Sequence, residues 1–336
     1  MSRLRAVLVG AGGMGRAWAL VIAANPDVQL VGWVDLLKAR VTEAADELQL
    51  AGLAIEDDVE AALSLARPDF VVDAAIPEAH HEITRLCLDR QIAVLGEKPM
   101  AATLDQARDL VARSERGSTL FMVSQNRRYN AGLATYRDLI AQHLGGIGQL
   151  NAEFYRAPHF GGFREEMDSP LLIDMAIHTF DAARYLTGAD PLSVSCTEFN
   201  PPWSWYRGAA SVVAEFELTG GIRFTYQGSW CAAGHETSWD SSWRAIGAAG
   251  TATWNGTGNP TAEVTASAVP ATITVVDPAP VALPGEGIAG ALLDFVTALR
   301  SGRAPMGECH DNIKSLAMVM SALESSRTGR RVAMSF

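Results

Sequence analysis

Lysine is almost absent from this chain. Of its 27 basic residues only Lys38, Lys98 and Lys314 are lysines, and the other 24 are arginines. Where a cation merely needs to be solvated or paired, a guanidinium is used, and it keeps its proton near neutrality. A lysine kept at a chosen place can be one whose proton exchanges. Cysteine is scarce too: Cys87, Cys196, Cys231 and Cys309 lie far apart and form no CxxC pair, which argues against a disulfide framework or a thiolate zinc site. His80 and His81 are adjacent, but no cysteine or carboxylate cluster completes a site around them, and neighbours on a helix diverge by about 100°. No metal is expected. The opening stretch MSRLRAVLVGAGG has no apolar run long enough for a signal peptide or a membrane span, so a soluble, cytoplasmic protein with no membrane partner is expected. A net charge of −11 argues against sequence-independent nucleic-acid binding. Internal repeats and low-complexity tails are also missing.

What is present changes style near residue 125. Before it, the short apolar runs LRAVLVG, QLVGWVD, FVVDAAI, IAVLGEK and STLFMVS alternate with helix-like stretches. That order predicts an α/β domain with a parallel, doubly wound sheet covered by helices on both faces. After residue 145 come longer alternating segments, QLNAEFYR, SVVAEFEL, GIRFTYQGSW and AEVTASAV, with TGG at 219–221 as a hairpin turn. They predict an α+β domain with an open, mainly antiparallel sheet. Helices are expected at 170–187 and near 310–328, and the Gly/Pro/Thr/Ala-rich residues 255–285 are expected to form hairpins and loops. The domains are therefore placed at 1–125 and 126–336, the last helix packing back towards the first domain.

GAGGMG, residues 10–15, follows the first strand and precedes a helical run. Gly10, Gly12 and Gly15 fit G-x-G-x-x-G, which lets the backbone turn tightly and approach a pyrophosphate lying on the helix N-terminus. Gly13 and Met14 lie within the same turn. Asp35 ends the second strand, 20 residues after Gly15, where a carboxylate accepts hydrogen bonds from an adenosine ribose. It also repels a 2′-phosphate, which favours NAD over NADP, although Lys38 and Arg40 lie just downstream and leave NADP possible. The segment GEKPM, residues 96–100, puts Lys98 at the carboxyl end of an apolar strand, the edge where ligands bind in open α/β sheets.

SPLLIDMAIHTFDAARYLTG, residues 169–188, reads as a buried helix with Ser169 as cap, Pro170 in the first turn and Gly188 closing the end. Asp174, His178 and Asp181 stand at i, i+4 and i+7, one stripe of an α-helix. Unpaired charge in a core costs several kcal/mol, so such a stripe needs partners. Arg184 at i+3 is the expected partner of Asp181.

GAGGMG, Asp35, AIPEAHHEIT, GEKPM, DMAIHTFD and the closing DNIKSLAMVMSALESSRTGRRV together resemble the glucose–fructose oxidoreductase/inositol dehydrogenase/MocA family over nearly the whole chain. The resemblance implies a Rossmann domain followed by a domain with an open antiparallel sheet. It implies Lys98, Asp174 and His178 as the catalytic set and Lys98–Pro99 as a cis peptide. It also implies Ile76, Pro77, His81, Glu97 and Asn126 or Arg127 as neighbours of the cofactor. The family often has GGG before the inserted helix where this chain has DSP at 168–170, which bears on the substrate more than on the chemistry.

Oxidising a secondary alcohol removes hydride from carbon and a proton from oxygen. An imidazole, with an ordinary pKa of about 6.5, suits the proton. His178 is therefore expected as general base, Asp174 as its support and an anchor for a neighbouring hydroxyl, and Lys98 as donor to the reacting oxygen. No tyrosine has a lysine four residues on, which excludes a short-chain dehydrogenase.

Six tryptophans, Trp203, Trp205, Trp230, Trp239, Trp243 and Trp254, crowd one segment. Rings there can stack on a pyranose or cyclitol, or simply pack within a sheet or an oligomer interface. Trp203, Trp230, Trp239, Tyr155, His159 and Arg164 are the candidate substrate contacts, with Arg156 nearby. No lysine or arginine nest marks a phosphosugar. The expected function is an NAD(P)-dependent dehydrogenase acting on a CH–OH group of an unphosphorylated sugar, cyclitol or sugar derivative, in a homo-oligomer (dimer or tetramer). The alternatives are an NAD-dependent glycosidase using transient oxidation and a non-catalytic nicotinamide sensor.

Overall fold

A computed structural model describes residues 2–265 and 272–336, which fall into two compact units. One comprises residues 1–126 and 284–313, the other residues 127–283 and 314–336.

The first unit holds a six-stranded parallel sheet. Its strands are β1 (Leu4–Val9), β2 (Val28–Val34), β3 (Ala54–Glu56), β4 (Phe70–Asp73), β5 (Ala93–Gly96) and β6 (Phe121–Val123), in the order β3-β2-β1-β4-β5-β6. Helices connect them on both faces, which is why Ala6–Val9, Phe70–Asp73 and Ala93–Gly96 are buried along their whole length. The strand order reverses between β1 and β4, opening a crevice at their carboxyl ends. β3, three half-buried residues long, had no apolar run to announce it. Residues 284–313 join this unit, whereas the sequence pattern had placed everything after 125 in the second domain. The cause is apolar contact: the helix Gly287–Ser301 packs on the helix Gly13–Ala24 and on β5, with the Phe295 ring 5.1 Å from that of Phe70.

The second unit holds a nine-stranded sheet. Its strands are β7 (Ile147–Tyr155), β8 (Pro191–Phe199), β9 (Ser211–Leu218), β10 (Arg223–Ser229), β11 (Ser242–Gly247), β12 (Gly250–Trp254), β13 (Thr261–Thr265), β14 (Ile273–Val276) and β15 (Val332–Ala333). The order is β14-β13-β12-β11-β7-β10-β9-β8-β15. Among the described residues of this sheet only β7 and β10 pair in parallel; β9 and β10 pair antiparallel across the turn at 219–221. Of AEVTASAV, residues 262–265 lie in β13, and 266–269 lie outside the described residues. Leu150, Ala152 and Phe154 of β7 point into a core shared with the helices Ala131–His143 and Ile177–Thr187. The alternate residues Asn151 and Glu153 line the uncovered face.

The helix expected at 170–187 is not one α-helix. Leu171–Ala176 is π-helical and only Ile177–Thr187 is α-helical. A π segment bonds i to i+5 and turns less per residue, so the 3.6-residue spacing assumed from the sequence does not hold over Leu171–Ala176. Ser169 does not cap this helix; its Oγ donates to Glu198 Oε1 at 3.2 Å. Gly188 does close it, with φ at +64° and its N–H bonded to Arg184 O. Asp181 is bonded not by Arg184 but by Arg128, whose Nε and Nη2 each lie 2.7 Å from one of its oxygens. Ser315 Oγ donates to it at 2.7 Å as well.

Candidate active site

The glycine turn follows β1. Gly10 has φ at +97°, and a Cβ there would stand 2.5 Å from Ala74 O; a Cβ at Gly15 would stand 2.0 Å from Gly10 O. Backbone excludes side chains at both positions. A Cβ at Gly12 or Gly13, by contrast, would meet nothing within 4 Å, so the turn faces open space. The helix Gly13–Ala24 starts without a side-chain cap, and its first N–H groups form an anion site of the kind a pyrophosphate takes. Met14 and Ile76 are exposed apolar residues of this unit, and Pro77 opens the helix Pro77–Asp89.

Asp35 accepts from Ala11 N at 2.9 Å and from Leu37 N at 3.0 Å, which fixes its carboxylate beside the turn. Of the two residues that left NADP possible, Lys38 is held by Glu56 at 2.7 Å and Asp57 at 3.4 Å, and Arg40 lies 4.0 Å from Asp35 Oδ1. A 2′-phosphate would have to compete with two carboxylates for Lys38. These residues fit an NAD with a free 2′-hydroxyl. Asp35→Ala is expected to lower kcat/KM for NAD about tenfold, the worth of a charge-assisted hydrogen bond. It should raise activity with NADP relative to NAD; an unchanged ratio of the two in steady-state assays would contradict the assignment.

Glu97 and Lys98 follow β5 directly, and Lys98–Pro99 is cis, as the family resemblance implied. Glu97 is buried; its Oε1 accepts from Trp18 Nε1 at 2.9 Å and its Oε2 from Lys98 N at 3.2 Å. Burial pushes its carboxyl above the ordinary range, opposed by the Trp18 bond and the Lys98 charge. His81 turns its Nε2 to Asp109 Oδ2, 2.9 Å away on the helix Leu104–Gly117. Asn126 ends this unit with its Oδ1 buried and without a hydrogen-bond partner among the described residues. Glu308, Cys309 and His310 bring three metal-ligand atoms within 4.8 Å of one another. Burial raises the Cys309 thiol above its ordinary pKa.

In the second unit His178, Arg127, Asp240, Ser241 and Trp243 line a cavity of about 10 Å³. Arg127 donates to Asp240 and to Trp239 O. Burial lowers its pKa, and Asp240 opposes that. Asp174 Oδ2 accepts from Arg164 Nε at 2.7 Å, which joins a candidate catalytic residue to a candidate substrate contact. The Arg164 guanidinium lies over Phe160 and Phe163, 5.2 and 4.9 Å from their ring centres.

The aromatic residues divide. His159 stacks on Trp205 at 3.8 Å, and Trp230 meets Phe160 at 5.3 Å and Tyr206 at 5.8 Å. Arg156 lies 4.4 Å over Trp239. Trp203 and Trp239 are exposed, 70% and 41%, while Trp230, Trp243 and Trp254 are buried. Trp203 Nε1 donates to Cys231 O at 3.0 Å. Tyr155 is not brought to this cluster: it alternates with the core-facing Phe154, and its hydroxyl donates to Gln227 on the uncovered sheet face at 3.3 Å. Phe160, Phe163 and Asp240 were missed in the sequence. Phe160 and Phe163 flank the Gly161–Gly162 pair, and that loop position was the available signal.

A family model described as the oxidoreductase family with an NAD-binding Rossmann fold matches residues 4–125. A model of the GFO/IDH/MocA C-terminal domain matches residues 133–253. The chain is 26% identical to the uncharacterized protein y4oX of Sinorhizobium fredii, over 96% of this chain and 94% of that protein. It is 28% identical to an inositol 2-dehydrogenase of Arthrobacter sp., over 67% of this chain and 69% of that enzyme. Its fold superposes with a TM-score of 0.86 on an oxidoreductase of Agrobacterium radiobacter solved with NAD+, L-tartaric acid and magnesium. That match is at 20% identity and covers 99% and 98% of the two chains. Among the described residues no helix is long and apolar enough to cross a membrane.

Proposed function

This chain belongs to the GFO/IDH/MocA family of NAD-binding oxidoreductases, and we propose that its substrate is a secondary carbinol of an unphosphorylated sugar or cyclitol. The observation that carries the reading is the placing of one of three lysines directly after β5, at the crevice that Gly10–Gly15 and Asp35 prepare for a dinucleotide. The relative named inositol 2-dehydrogenase supports a polyol.

Bound nicotinamide supplies the hydride acceptor. Gly12, Gly13 and the first N–H groups of the following helix hold the pyrophosphate, and Asp35 holds the ribose. His178 takes the proton of the substrate hydroxyl and returns it in the reverse direction. Lys98 donates a hydrogen bond to the same oxygen and stabilises its developing negative charge. Asp174 positions a neighbouring hydroxyl, and its pairing with Arg164 couples that contact to the loop carrying Phe160 and Phe163. Trp239 and Trp203 offer exposed ring faces for a sugar, with Trp230 as buried support. Self-association through the uncovered sheet face belongs to the same proposal, with a dimer or tetramer expected by light scattering.

The test is a panel of unphosphorylated sugars and inositols with NAD and NADP, followed by the absorbance of reduced nicotinamide. Reduction of NAD by a polyol is the expected result. A preference for phosphosugars would overturn the substrate class. Aglycone release without net NADH would replace the dehydrogenase by a glycosidase.

A further inference from the structure

His80 is a buried imidazole to which the proposed chemistry gives no task. It is 2% exposed, and its Nδ1 lies 3.0 Å from Oδ2 of Asp73, which is fully buried. Both Nδ1 and Nε2 are buried without a hydrogen-bond partner among the described residues, so the approach to Asp73 is one of charge. Asp73 ends β4 and Glu97 follows the adjacent β5, with Glu97 N donating to Asp73 O at 2.8 Å. Two buried acidic residues thus lie at adjacent strand ends, and both act on His80.

The charged groups acting on His80 are Asp73 from β4, Glu97 after β5 and Glu78 on its own helix. Burial, the largest single influence, would strip its proton, but the Asp73, Glu97 and Glu78 carboxylates together outweigh it, and the group stays above the ordinary imidazole value. Cys87 on the same helix is buried and pushed up, so it adds no charge. Glu97 is the shared element: both His80 and Lys98 favour its ionised form, and its Oε2 accepts from the Lys98 peptide N–H.

We propose that His80 is a positioning residue for Lys98, its imidazolium balancing Asp73 and Glu97 so that Glu97 holds the Lys98 peptide and sets the field around the Lys98 amine. This rests on the reading of Lys98 as the donor to the reacting oxygen. The two can fail separately, because the test below needs neither substrate nor NAD.

The scarcity of lysine makes the measurement clean. With 13C at the lysine ε-carbons, the full chain gives three signals, from Lys38, Lys98 and Lys314, which can be followed from about pH 6 to about pH 10. His80 is followed by its own imidazole carbon. The wild-type Lys98 signal is expected to step at the pH where His80 titrates, and Lys38 and Lys314 to show no step there. In His80→Gln the Lys98 step should vanish while the other two signals keep their positions. A folded His80→Gln protein that retains the step overturns the proposal, and so does a wild-type protein without one. Should the glutamine variant not fold, the wild-type titration decides. Loss of the step with unchanged kcat in Lys98→Met would leave the coupling standing and remove the catalytic reading instead.

Discussion

Lys98→Met is expected to lower kcat by a factor of about 10²–10³, the range found when one donor to a developing oxyanion is removed. The dissociation constant for NAD should stay within about twofold, because the dinucleotide is held by the glycine turn and Asp35. Methionine matches the lysine stem in length, so the loss isolates the charged donor from packing. The chain uses arginine for 24 of its 27 basic residues, and an ammonium survives where a strand of the parallel sheet delivers it to the crevice. Steady-state kinetics with equilibrium NAD binding by fluorescence check this. A variant with wild-type kcat would remove Lys98 from the chemistry.

The largest stability effect is expected at Asp181. Its two oxygens take the Nε and Nη2 of Arg128 at 2.7 Å, and both residues are buried, 2% and 6% exposed. Removing one partner of such a pair costs about 3–5 kcal/mol, since the other charge keeps its desolvation penalty. Asp181→Ala should therefore lower the unfolding free energy by about that amount. The double variant Arg128→Met/Asp181→Ala, which also removes the Arg128 guanidinium left unpaired by the single change, should recover part of the loss. Urea unfolding followed by tryptophan fluorescence measures both. Equal destabilisation in the single and double variants would show that hydrogen bonding to Ser315, and not charge pairing, carries the site.

These two residues also mark what local sequence reasoning reaches. Lys98 was legible because its neighbourhood is local: a buried strand, then GEKPM, at the end of a parallel sheet where ligands bind. The glycine turn and Asp35 were legible for the same reason, each being a short-range demand of backbone geometry. Asp181 was legible as a buried charge, but its partner was not. Arg184 at i+3 satisfies helical spacing, yet Arg128 lies 53 residues away, and only folding brings it near. The π segment 171–176 was equally hidden, because spacing assumes 3.6 residues per turn and nothing in LLIDMA announces a wider one.

The tryptophans show a further limit. Crowding in sequence did not mean one role, since some of these rings lie on strands that face the core and others in loops. Trp243 and Trp254 are directly paired residues of β11 and β12 and serve the core, while Trp203 and Trp239 stay exposed. Tyr155 is turned from the aromatic cluster by strand alternation, one residue beyond the core-facing Phe154. The helix Gly287–Ser301 joined the first unit because its apolar face matches that of the first helix, a long-range pairing that composition does not encode.

The most direct test of the account is a crystal structure of the enzyme with NAD and a polyol that the assay panel identifies. It should place the Lys98 amine and a His178 ring nitrogen each about 3 Å from the oxygen of one carbinol, whose carbon faces the nicotinamide. A carbinol oxygen met by neither group, or by two groups too far apart for one hydroxyl to bridge, would contradict it.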